Sequence, residues 1–510
     1  MKRFISFTAI TFVAFTACFS SKVVTDPIPT LECSNEIAPQ YFIDPHMEDP
    51  ESPCSTIHTG DLLSPDHWYQ LHRKYKEPNI THRRLKHADI QPLIQKAGRH
   101  ADFNVIKLGY SVEGRTISLV SYGNGPVDVL MWSQMHGNEA TATMAIMDIL
   151  NYLSDDEVDE AFKEIMKEKL TLHFIPMLNP DGAEKFQRRN ALGVDLNRDA
   201  LRLQNPETII LKRVRDSLEA DWGFNLHDQN RYYAAGFHPQ TASISFLAPA
   251  YNYEKDINEI RGRAMQQIGR LDEVLQRYIH GKVAKYNDTF EPRAFGDNIQ
   301  KWGTSTILIE SGGLVNDREK QKLRQLHFMI LLSSFQDIMH EKYKETSMQK
   351  YEDIPFNDSN MFNELLIRNG TFLRNGKPYI LDIAFRHSEV DNEDHSAFYL
   401  KGSISDIGDL STRFGYDVLD AGGYEIVPGK VWEEPLTSPL EKNDRLAEGY
   451  TDFIFPDAPG METYSGKPWR YYPSMEEVDQ SVDIGHNPSM LLVKGGEIYY
   501  AIVNGMVYKI

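Results

Sequence analysis

Residues 127–140 read VDVLMWSQMHGNEA, and the character of the chain changes abruptly within this stretch. The run Val127–Gln134 is apolar and predicts a buried strand. It leads into His136-Gly137-Asn138-Glu139, where a histidine and a carboxylate three residues apart can point at one spot. Imidazole and carboxylate groups are ligand types that zinc prefers. By itself the pair also fits a polar turn, because short motifs recur by chance.

Strands and helices alternate on both sides of this stretch, from about His67 to Tyr343. The pattern predicts strands at Val105–Leu108, Ile117–Tyr122, Thr171–Leu178, Trp222–His227 and Ser305–Ile309. It predicts helices at Asp89–Ala97, at Asn138–Leu153, from Asn205-Pro206 onwards with Asn205 as the cap, over Ile257–Tyr278, and at Asp317–His340 as a long amphipathic helix. The alternation favours an α/β fold with a mixed, largely parallel sheet flanked by helices. Ligands of such folds gather at the carboxyl ends of the strands.

From about Glu352 the pattern changes to short β-rich runs. Asn375-Gly376, Gly495-Gly496 and Asn504-Gly505 separate these runs and predict hairpin turns. The last runs, Leu491–Val493, Ile498–Val503 and Met506–Ile510, predict a terminal meander. Residues 352–510 are therefore predicted to form a separate, mostly-β domain after an α/β domain at residues 67–343.

The composition is that of an ordinary globular protein, with 41% hydrophobic and 25% charged residues among 510. The formal net charge is −19. Because phosphate binding needs a basic face, this charge argues against nucleic acid as the main partner.

The first 18 residues predict export. Lys2 and Arg3 precede a short apolar segment, and Phe15-Thr16-Ala17-Cys18 resembles a bacterial lipoprotein signal. A lipid on Cys18 would be the one link to a membrane, which predicts a location in the bacterial cell envelope or outside the cell. Residues 19–66 are predicted to be a tether or irregular lead-in. Cys33 and Cys54 are expected either to form a disulfide or to remain two buried thiols.

Three further segments place polar side chains at predicted strand ends or in loops. They are Asn179-Pro180-Asp181-Gly182 with the following Arg188–Arg198, Asn225-Leu226-His227-Asp228, and Leu308-Ile309-Glu310-Ser311-Gly312-Gly313. His227 closes a strand, so its imidazole can meet Glu139 above the same sheet edge. Asp195 is suited to orient a ligand histidine, and Glu310 borders a pocket and suits general-base work.

Together, in this order, these elements resemble the zinc carboxypeptidase family, the carboxypeptidase A-like metallopeptidases. The resemblance covers roughly residues 67–343 and implies that the chain is a hydrolase with one Zn²⁺. It implies that His136, Glu139 and His227 bind the metal and that a fourth position holds the water that attacks the peptide bond. Asp195 would orient a ligand histidine through the second nitrogen of its ring.

The resemblance also implies roles for residues around the metal. Glu310 would be the general base, and Arg188 would stabilise the oxyanion, with neighbouring Arg189 as the alternative. Asn197 and Arg198 would bind the C-terminal carboxylate of a peptide substrate, which makes the expected activity that of a metallocarboxypeptidase.

Two features depart from the family pattern. The family's mobile active-site tyrosine has a weak match in Tyr286, for which a surface tyrosine is an equal alternative, and the loop before Gly193 is short. Asp297 either lines the specificity pocket or caps a turn. Two other functions stay open: a zinc amidase or deacylase of the same fold that acts on cell-wall peptides, and a catalytically silent binding protein.

Overall fold

Nine strands and nine helices make up the first part of the described chain. The structure is a computed structural model that describes residues 62–457 and 466–510. The predicted signal segment, Cys18 and the cysteine pair lie outside the described residues. The strands are β1 (Phe103–Tyr110), β2 (Thr116–Tyr122), β3 (Val127–Trp132), β4 (Leu170–Ile175), β5 (Trp222–Asp228), β6 (Ala234–Ala235), β7 (Ile244–Leu247), β8 (Val283–Lys285) and β9 (Ser305–Ser311). The helices are α1 (Pro65–Tyr75), α2 (His87–Ala97), α3 (Thr141–Leu153), α4 (Glu160–Lys169), α5 (Pro180–Glu184), α6 (Pro206–Leu218), α7 (Glu259–Leu275), α8 (Phe295–Lys301) and α9 (Gln321–Met339), and α10 (Met348–Asp353) follows them.

Eight of these strands form the large sheet, in the order β1-β2-β4-β3-β5-β9-β7-β8. Its centre is parallel, because β4, β3, β5 and β9 run in one direction, whereas β1, β2 and β7 introduce antiparallel pairs. The predicted mixed, largely parallel sheet flanked by helices is thus confirmed.

Helices cover both faces of the large sheet. Along β3, Val129 and Met131 belong to the core shared with α3 and α9, while Leu130 and Trp132 belong to the opposite core with α6 and α8. All four side chains are fully buried. A strand covered on both faces reads as a continuous apolar run, which is why the sequence of β3 shows no alternation.

Several predicted elements differ from the observed ones. The strand after Val127 stops at Trp132, because Gln134 has a φ of 45° that an extended strand does not allow. The helix predicted from Asn138 begins only at Thr141. The helix predicted as amphipathic, α9, is buried on nearly every face, because α1, α3 and α7 all pack against it.

The starts of two helices also differ from the sequence-based predictions. Asn205 precedes α6 as expected, but its side chain makes no capping bond and instead donates to Asp199 Oδ2 at 2.8 Å. Helix α1 lies at the end of the segment predicted to be irregular. Ser64 caps it, accepting a hydrogen bond from His67 N, and Pro65 occupies its first turn.

The C-terminal lobe, defined here as residues 357–457 and 466–510, is mostly β. Its strands are β10 (Asn357–Asp358), β11 (Phe362–Arg374), β12 (Lys377–Asp391), β13 (Phe398–Gly408), β14 (Phe414–Asp420), β15 (Glu425–Pro428), β16 (Lys430–Trp432), β17 (Tyr450–Ile454), β18 (Arg470–Tyr472), β19 (Met490–Lys494), β20 (Glu497–Val503) and β21 (Met506–Lys509). The larger sheet has the order β13-β12-β11-β15-β19-β20-β21, with β14 beside β11, and β16, β17 and β18 form a small parallel sheet. The three predicted turns join β11 to β12, β19 to β20 and β20 to β21.

The C-terminal lobe packs directly on the first part of the chain. Strand β10 pairs with β6, and the Tyr232 hydroxyl accepts a 2.8 Å hydrogen bond from His387 N in β12. All described residues belong to one compact unit, and the domain boundaries given above stay a prediction. Among residues 62–457 and 466–510, no helix combines the length and apolar character that crossing a bilayer requires.

Candidate metal centre and active site

Three neighbouring parallel strands bring the predicted site residues to one edge of the large sheet. His136 lies four residues beyond the end of β3, His227 lies near the end of β5, and Glu310 lies near the end of β9. His227 and Glu310 are partners in the register of β5 and β9. Because parallel strands end at the same edge, residues that are 174 positions apart in the chain meet there.

The loop that carries His136 and Glu139 is held by the segment after β4. Ser133 N donates to Ile175 O at 3.0 Å, and Asn179 N donates to Gln134 O at 2.9 Å. Gly137 lies so close to Gly182 that a Cβ on Gly137 would come within 2.0 Å of the Gly182 carbonyl carbon. This contact explains the Asn-Pro-Asp-Gly motif in structural terms, because its backbone supports the His-x-x-Glu loop.

The donor atoms of His136, Glu139 and His227 converge on one point. His136 Nδ1 lies 2.8 Å from Glu139 Oε1 and 3.1 Å from His227 Nδ1, and His227 Nδ1 lies 2.7 Å from Glu139 Oε2. All three residues are buried. One atom from each lies within 4.8 Å of the others, close enough to share an ion.

Two nitrogens and a carboxylate that face one another in this way fit a zinc ion. The set supplies three protein ligands, the number that catalytic zinc sites use when they keep a position open. Two imidazole Nδ1 atoms at 3.1 Å cannot both donate a proton, so a cation between them is a natural partner. Among the described residues, one other group has ligand spacing, His100, Asp102 and Asp156, but it is partly exposed.

Asp195 and Arg188 surround the ligands. Asp195 Oδ1 lies 3.0 Å from His136 Nε2, so it fixes the ring through the nitrogen that faces away from the cluster, as predicted for its supporting role. Arg188 donates to Asp195 Oδ2 and to Glu139 Oε1 at 3.1 and 3.2 Å. Arg189 points elsewhere and donates to Gly193 O at 2.9 Å. The structure thus places Arg188, and not the alternative Arg189, at the cluster.

The cluster perturbs the ionisation of its members. Burial alone would raise the pKa of Glu139, but the charges and hydrogen bonds of His136 and His227 outweigh it and hold that pKa below its ordinary value. For Asp195, burial likewise opposes ionisation, but His136 and Arg188 keep its pKa low. Both carboxylates are therefore ionised at neutral pH, the form that binds a cation.

Glu310 is the exception among these acids. Burial, followed by the negative charges of Glu139 and Asp228, raises its pKa well above the ordinary value. The residue is half-buried. A carboxylate with this tendency to hold a proton, beside a metal cluster, suits proton transfer.

Tyr286 directly follows β8 and lies close enough to Glu310 to feel the charge of its carboxylate. Burial, then the charges of Glu310 and of neighbouring Tyr233, raises the pKa of Tyr286, so its hydroxyl is neutral. The Tyr233 and Tyr286 ring centroids are 6.1 Å apart. The tyrosine is half-buried and not a plain surface residue.

Asn197 and Arg198 lie in a turn that begins at Asp195. The Asn197 side-chain oxygen accepts a 2.8 Å hydrogen bond from Phe295 N, which ties the turn to α8. The Arg198 side chain is 38% exposed and lies 3.8 Å from a Glu291 carboxylate oxygen, so its guanidinium remains accessible to a ligand. Asp297 accepts a hydrogen bond from Glu291 N at 2.9 Å, which is the turn-capping alternative of the two considered for it.

Two site residues had no role in the sequence analysis. Asp228 N donates to Glu139 Oε2 at 3.1 Å, and Asp228 Oδ2 lies 3.3 Å from the ammonium nitrogen of buried Lys320. Lys320 also donates to Ser311 O at 2.8 Å. The position of Asp228 directly after His227 was a usable signal, whereas nothing near Lys320 in the sequence indicated its position.

Residues 91–262 match the family model of the zinc carboxypeptidases. The match includes the three candidate zinc ligands, Asp195, Arg188 and the Asn197-Arg198 pair. Glu310 and Tyr286 lie beyond it, so their assignment depends on the geometry described above.

Two curated proteins resemble the chain over part of their length. Carboxypeptidase SOL1 of Arabidopsis thaliana is 27% identical over 175 residues, which are 28% of this chain and 35% of that protein. An uncharacterized protein of Zymomonas mobilis is 25% identical over 211 residues, 41% of this chain and 49% of that protein. The chain thus spans about a third to a half of the length of these relatives.

Two metallo-carboxypeptidases are among the solved structures that resemble the chain at low sequence identity. A metallo-carboxypeptidase from Burkholderia cenocepacia is 18% identical, with a TM-score of 0.40, over 49% of this chain and 68% of that one. A metallo-carboxypeptidase from Pseudomonas aeruginosa, in complex with (2-guanidinoethylmercapto)succinic acid, is 19% identical, with a TM-score of 0.37, over the same shares.

Proposed function

We propose that this protein is a zinc metallocarboxypeptidase that hydrolyses the C-terminal peptide bond of peptides. The observation that carries the proposal is the convergence of His136, Glu139 and His227 within 4.8 Å, with Glu310 beside them. Zinc bound by these three residues would polarise the scissile carbonyl and lower the pKa of the attacking water.

Each neighbouring residue has a role that its position supports. Glu310 takes the proton of the attacking water and returns it to the departing amine, a task that suits a carboxylate paired in register with the ligand His227. Arg188 holds the developing oxyanion with its guanidinium. Asp195 fixes the orientation of His136 through a 3.0 Å contact. The neutral Tyr286 hydroxyl is a hydrogen-bond donor to the substrate.

At the other side of the cleft, Arg198 and Asn197 bind the terminal carboxylate of the substrate. An accessible guanidinium forms a paired, charge-assisted contact with a carboxylate. This contact makes the enzyme an exopeptidase, because an internal peptide bond has no terminal carboxylate close enough to reach Arg198 and Asn197.

The test is peptide hydrolysis with the purified full chain. Mass spectrometry of a mixed peptide library is expected to show single C-terminal residues released, with activity abolished by a chelator and restored by zinc. Glu310→Gln is expected to retain zinc and lose turnover by about 10²–10⁴-fold. Turnover that survives complete removal of metal would refute the proposal.

The role of Arg198 is tested with two versions of one peptide. Arg198→Ala is expected to lower kcat/KM strongly for the free C-terminus and little for the amidated peptide. An equal loss on both peptides would argue against a carboxylate contact.

A second substrate class follows from the N-terminal segment. We propose that the protein is exported and held in the bacterial envelope by a lipid on Cys18, where cell-wall peptides are the nearest substrates. Cleavage of muropeptides by the same site would favour the amidase alternative, and efficient turnover of linear peptides without muropeptide cleavage would exclude it.

A further inference from the structure

A cavity of about 500 Å³ adjoins the three-ligand cluster. Asn138, Glu139 and Asp228 lie at its inner end, next to the candidate metal centre. His387, Ser388 and Glu389, all in β12, contribute its wall on the side of the C-terminal lobe. The cavity is thus lined by residues from 83 to 320 and by residues 387–391 of β12.

The position of the cavity indicates which part of a peptide substrate it would contact. Asn197 and Arg198, the proposed carboxylate contacts, are not among its lining residues. In a peptide whose terminal carboxylate lies at Arg198 and whose cleaved bond lies at the metal ligands, the acyl segment extends away from Arg198, and Glu139 lines the cavity whereas Arg198 does not. The cavity therefore lies where the acyl segment, on the amino side of the cleaved bond, has to go.

The lining of the cavity is strongly polar. Five cationic and five acidic side chains line it, and Phe186 and Leu314 are among its few apolar groups. Paired charges bind polar peptide groups well, whereas an apolar segment would displace their water without replacing its hydrogen bonds.

Ion pairs between the lobes hold this wall in place. Arg84 donates to Asp391 Oδ1 at 2.6 Å and to Glu389 Oε2 at 3.2 Å. Its guanidinium is stacked between the rings of Phe186 and Phe398, at 4.1 and 3.9 Å from their centroids. Arg83 donates to Glu389 Oε1 at 2.6 Å. Such a fixed wall limits the length of whatever enters the cavity.

Unused hydrogen-bonding capacity is concentrated in the lining residues. Among the described residues, 20 buried side-chain atoms have no hydrogen-bond partner, and six of them belong to residues that line this cavity. These six are Arg83 Nε, Arg84 Nη1, Asn138 Oδ1, Asp228 Oδ1, Arg231 Nε and His387 Nδ1. These atoms are buried and do not reach the cavity themselves, but they show that its wall is built from closely packed polar side chains.

We propose that this cavity is the acyl-side pocket of the enzyme, that the C-terminal lobe forms its outer wall, and that it selects short polar acyl segments. The inference rests on the proposed peptidase function for the direction of the substrate. A volume of about 500 Å³ is of the size that encloses a small ligand, equivalent to a few residues.

The test uses Ser388, which is exposed on β12 and lines the cavity. Ser388→Trp fills the pocket, and an aromatic residue suits a strand position. Ser388→Tyr is a second, smaller variant in case the first fails to fold. Ser438→Trp, at an exposed position in a loop of the same lobe, is the matched control.

Binding is measured by calorimetry with zinc-loaded full chain carrying Glu310→Gln, so that peptides are not consumed. Three peptides share the same terminal pair: acetyl-Glu-Gln-Ala-Ala, acetyl-Leu-Phe-Ala-Ala and acetyl-Ala-Ala. The polar tetrapeptide is expected to bind at least fivefold tighter than the apolar one. Ser388→Trp is expected to weaken the polar tetrapeptide at least five times more than acetyl-Ala-Ala, and Ser438→Trp is expected to change neither.

Equal weakening of both peptides by Ser388→Trp, no weakening of either, or no preference for the polar tetrapeptide would overturn the inference. Turnover by the unaltered enzyme is measured separately on the same peptides. Binding with the expected pattern but without turnover would reject the peptidase function and keep the pocket. Turnover without any effect of Ser388→Trp would reject the pocket alone.

Discussion

At the scale of single residues, the cluster is defined by which atom of each side chain faces the others. His136 uses Nδ1 towards Glu139 and His227 and gives Nε2 to Asp195. His227 also turns Nδ1 inward, and its Nε2 is buried without a hydrogen-bond partner among the described residues. A cation at this point would join two nitrogens and two carboxylate oxygens that otherwise share protons.

The adjacent arginines allow a matched test of oxyanion stabilisation. Arg188→Ala is expected to lower kcat by about 10²–10³-fold, because a donor to the developing charge is lost. Arg189→Ala is expected to stay within about twofold of the unaltered enzyme, since Arg189 contacts a loop carbonyl. Steady-state kinetics with zinc content determined in parallel would check both, and equal losses would argue against the assignment.

Asp297 predicts a pH dependence of stability. Burial raises its pKa to about 6, whereas the unfolded chain has the ordinary value of 3.8. Between these values the folded state binds more protons, so the contribution of Asp297 to the free energy of unfolding is fully present below pH 4 and is lost as pH rises through 6. The shift corresponds to about 3 kcal/mol.

Asp297→Asn removes this dependence. Urea unfolding at pH 4 and pH 7 is expected to show the variant gaining about 3 kcal/mol relative to the unaltered protein at the higher pH. A difference between the two proteins that does not change with pH would show that Asp297 is not perturbed in the fold.

At the scale of elements, the metal loop depends on a contact between two backbones. Gly137→Ala would place a Cβ 2.0 Å from the Gly182 carbonyl carbon and 2.2 Å from Ala183 N, so the two loops must separate. Zinc affinity is expected to fall about 10–100-fold, which is the typical loss when a residue that positions a metal ligand is replaced. Competition with a chelator measures this change.

Gly114→Ala is the control for that prediction. Gly114 also has a restrictive backbone, with a φ of 82°, but no atom lies within 4 Å of its Cβ position. It is expected to cost stability, about 1 kcal/mol, without changing zinc affinity. Equal zinc affinities of the Gly137 and Gly114 variants would contradict the proposed contact.

Local sequence patterns predict some of these elements correctly and others incorrectly. The hairpin turn Asn375-Gly376 is recognisable because its φ values of 54° and 70° suit Asn and Gly. Strand β3 is recognisable as a continuous apolar run. The pattern of α9 predicts an amphipathic helix, but α9 is buried on nearly every face because α1, α3 and α7 pack against it. The sequence of α9 itself does not reveal these packing partners.

At the scale of the whole molecule, the two lobes are joined by buried charges. Arg83 and Arg84 are 8% and 2% exposed, and both bind Glu389 across the junction. Because both arginines lose a charge-assisted hydrogen bond while Arg84 keeps its contact with Asp391, Glu389→Ala is expected to lower the free energy of unfolding by about 1.5–3 kcal/mol. Urea denaturation measures the loss.

Glu433→Ala, at an exposed position of the same lobe, is the control and is expected to change stability by less than about 0.5 kcal/mol. A Glu389 variant as stable as this control would show that the lobes are held together by other contacts.

The sequence by itself determined the order of the longer strands and helices, the hairpin turns and the His-x-x-Glu pair, because each depends on neighbours along the chain. Tertiary structure decided that Arg188 and not Arg189 meets the ligands, that Gly137 rests on Gly182, and that β12 closes the cavity beside Glu139. These are contacts between distant segments. The register of the parallel strands and the packing of the two lobes create these contacts. Neither the register nor the packing produces a local sequence pattern that would predict the contacts.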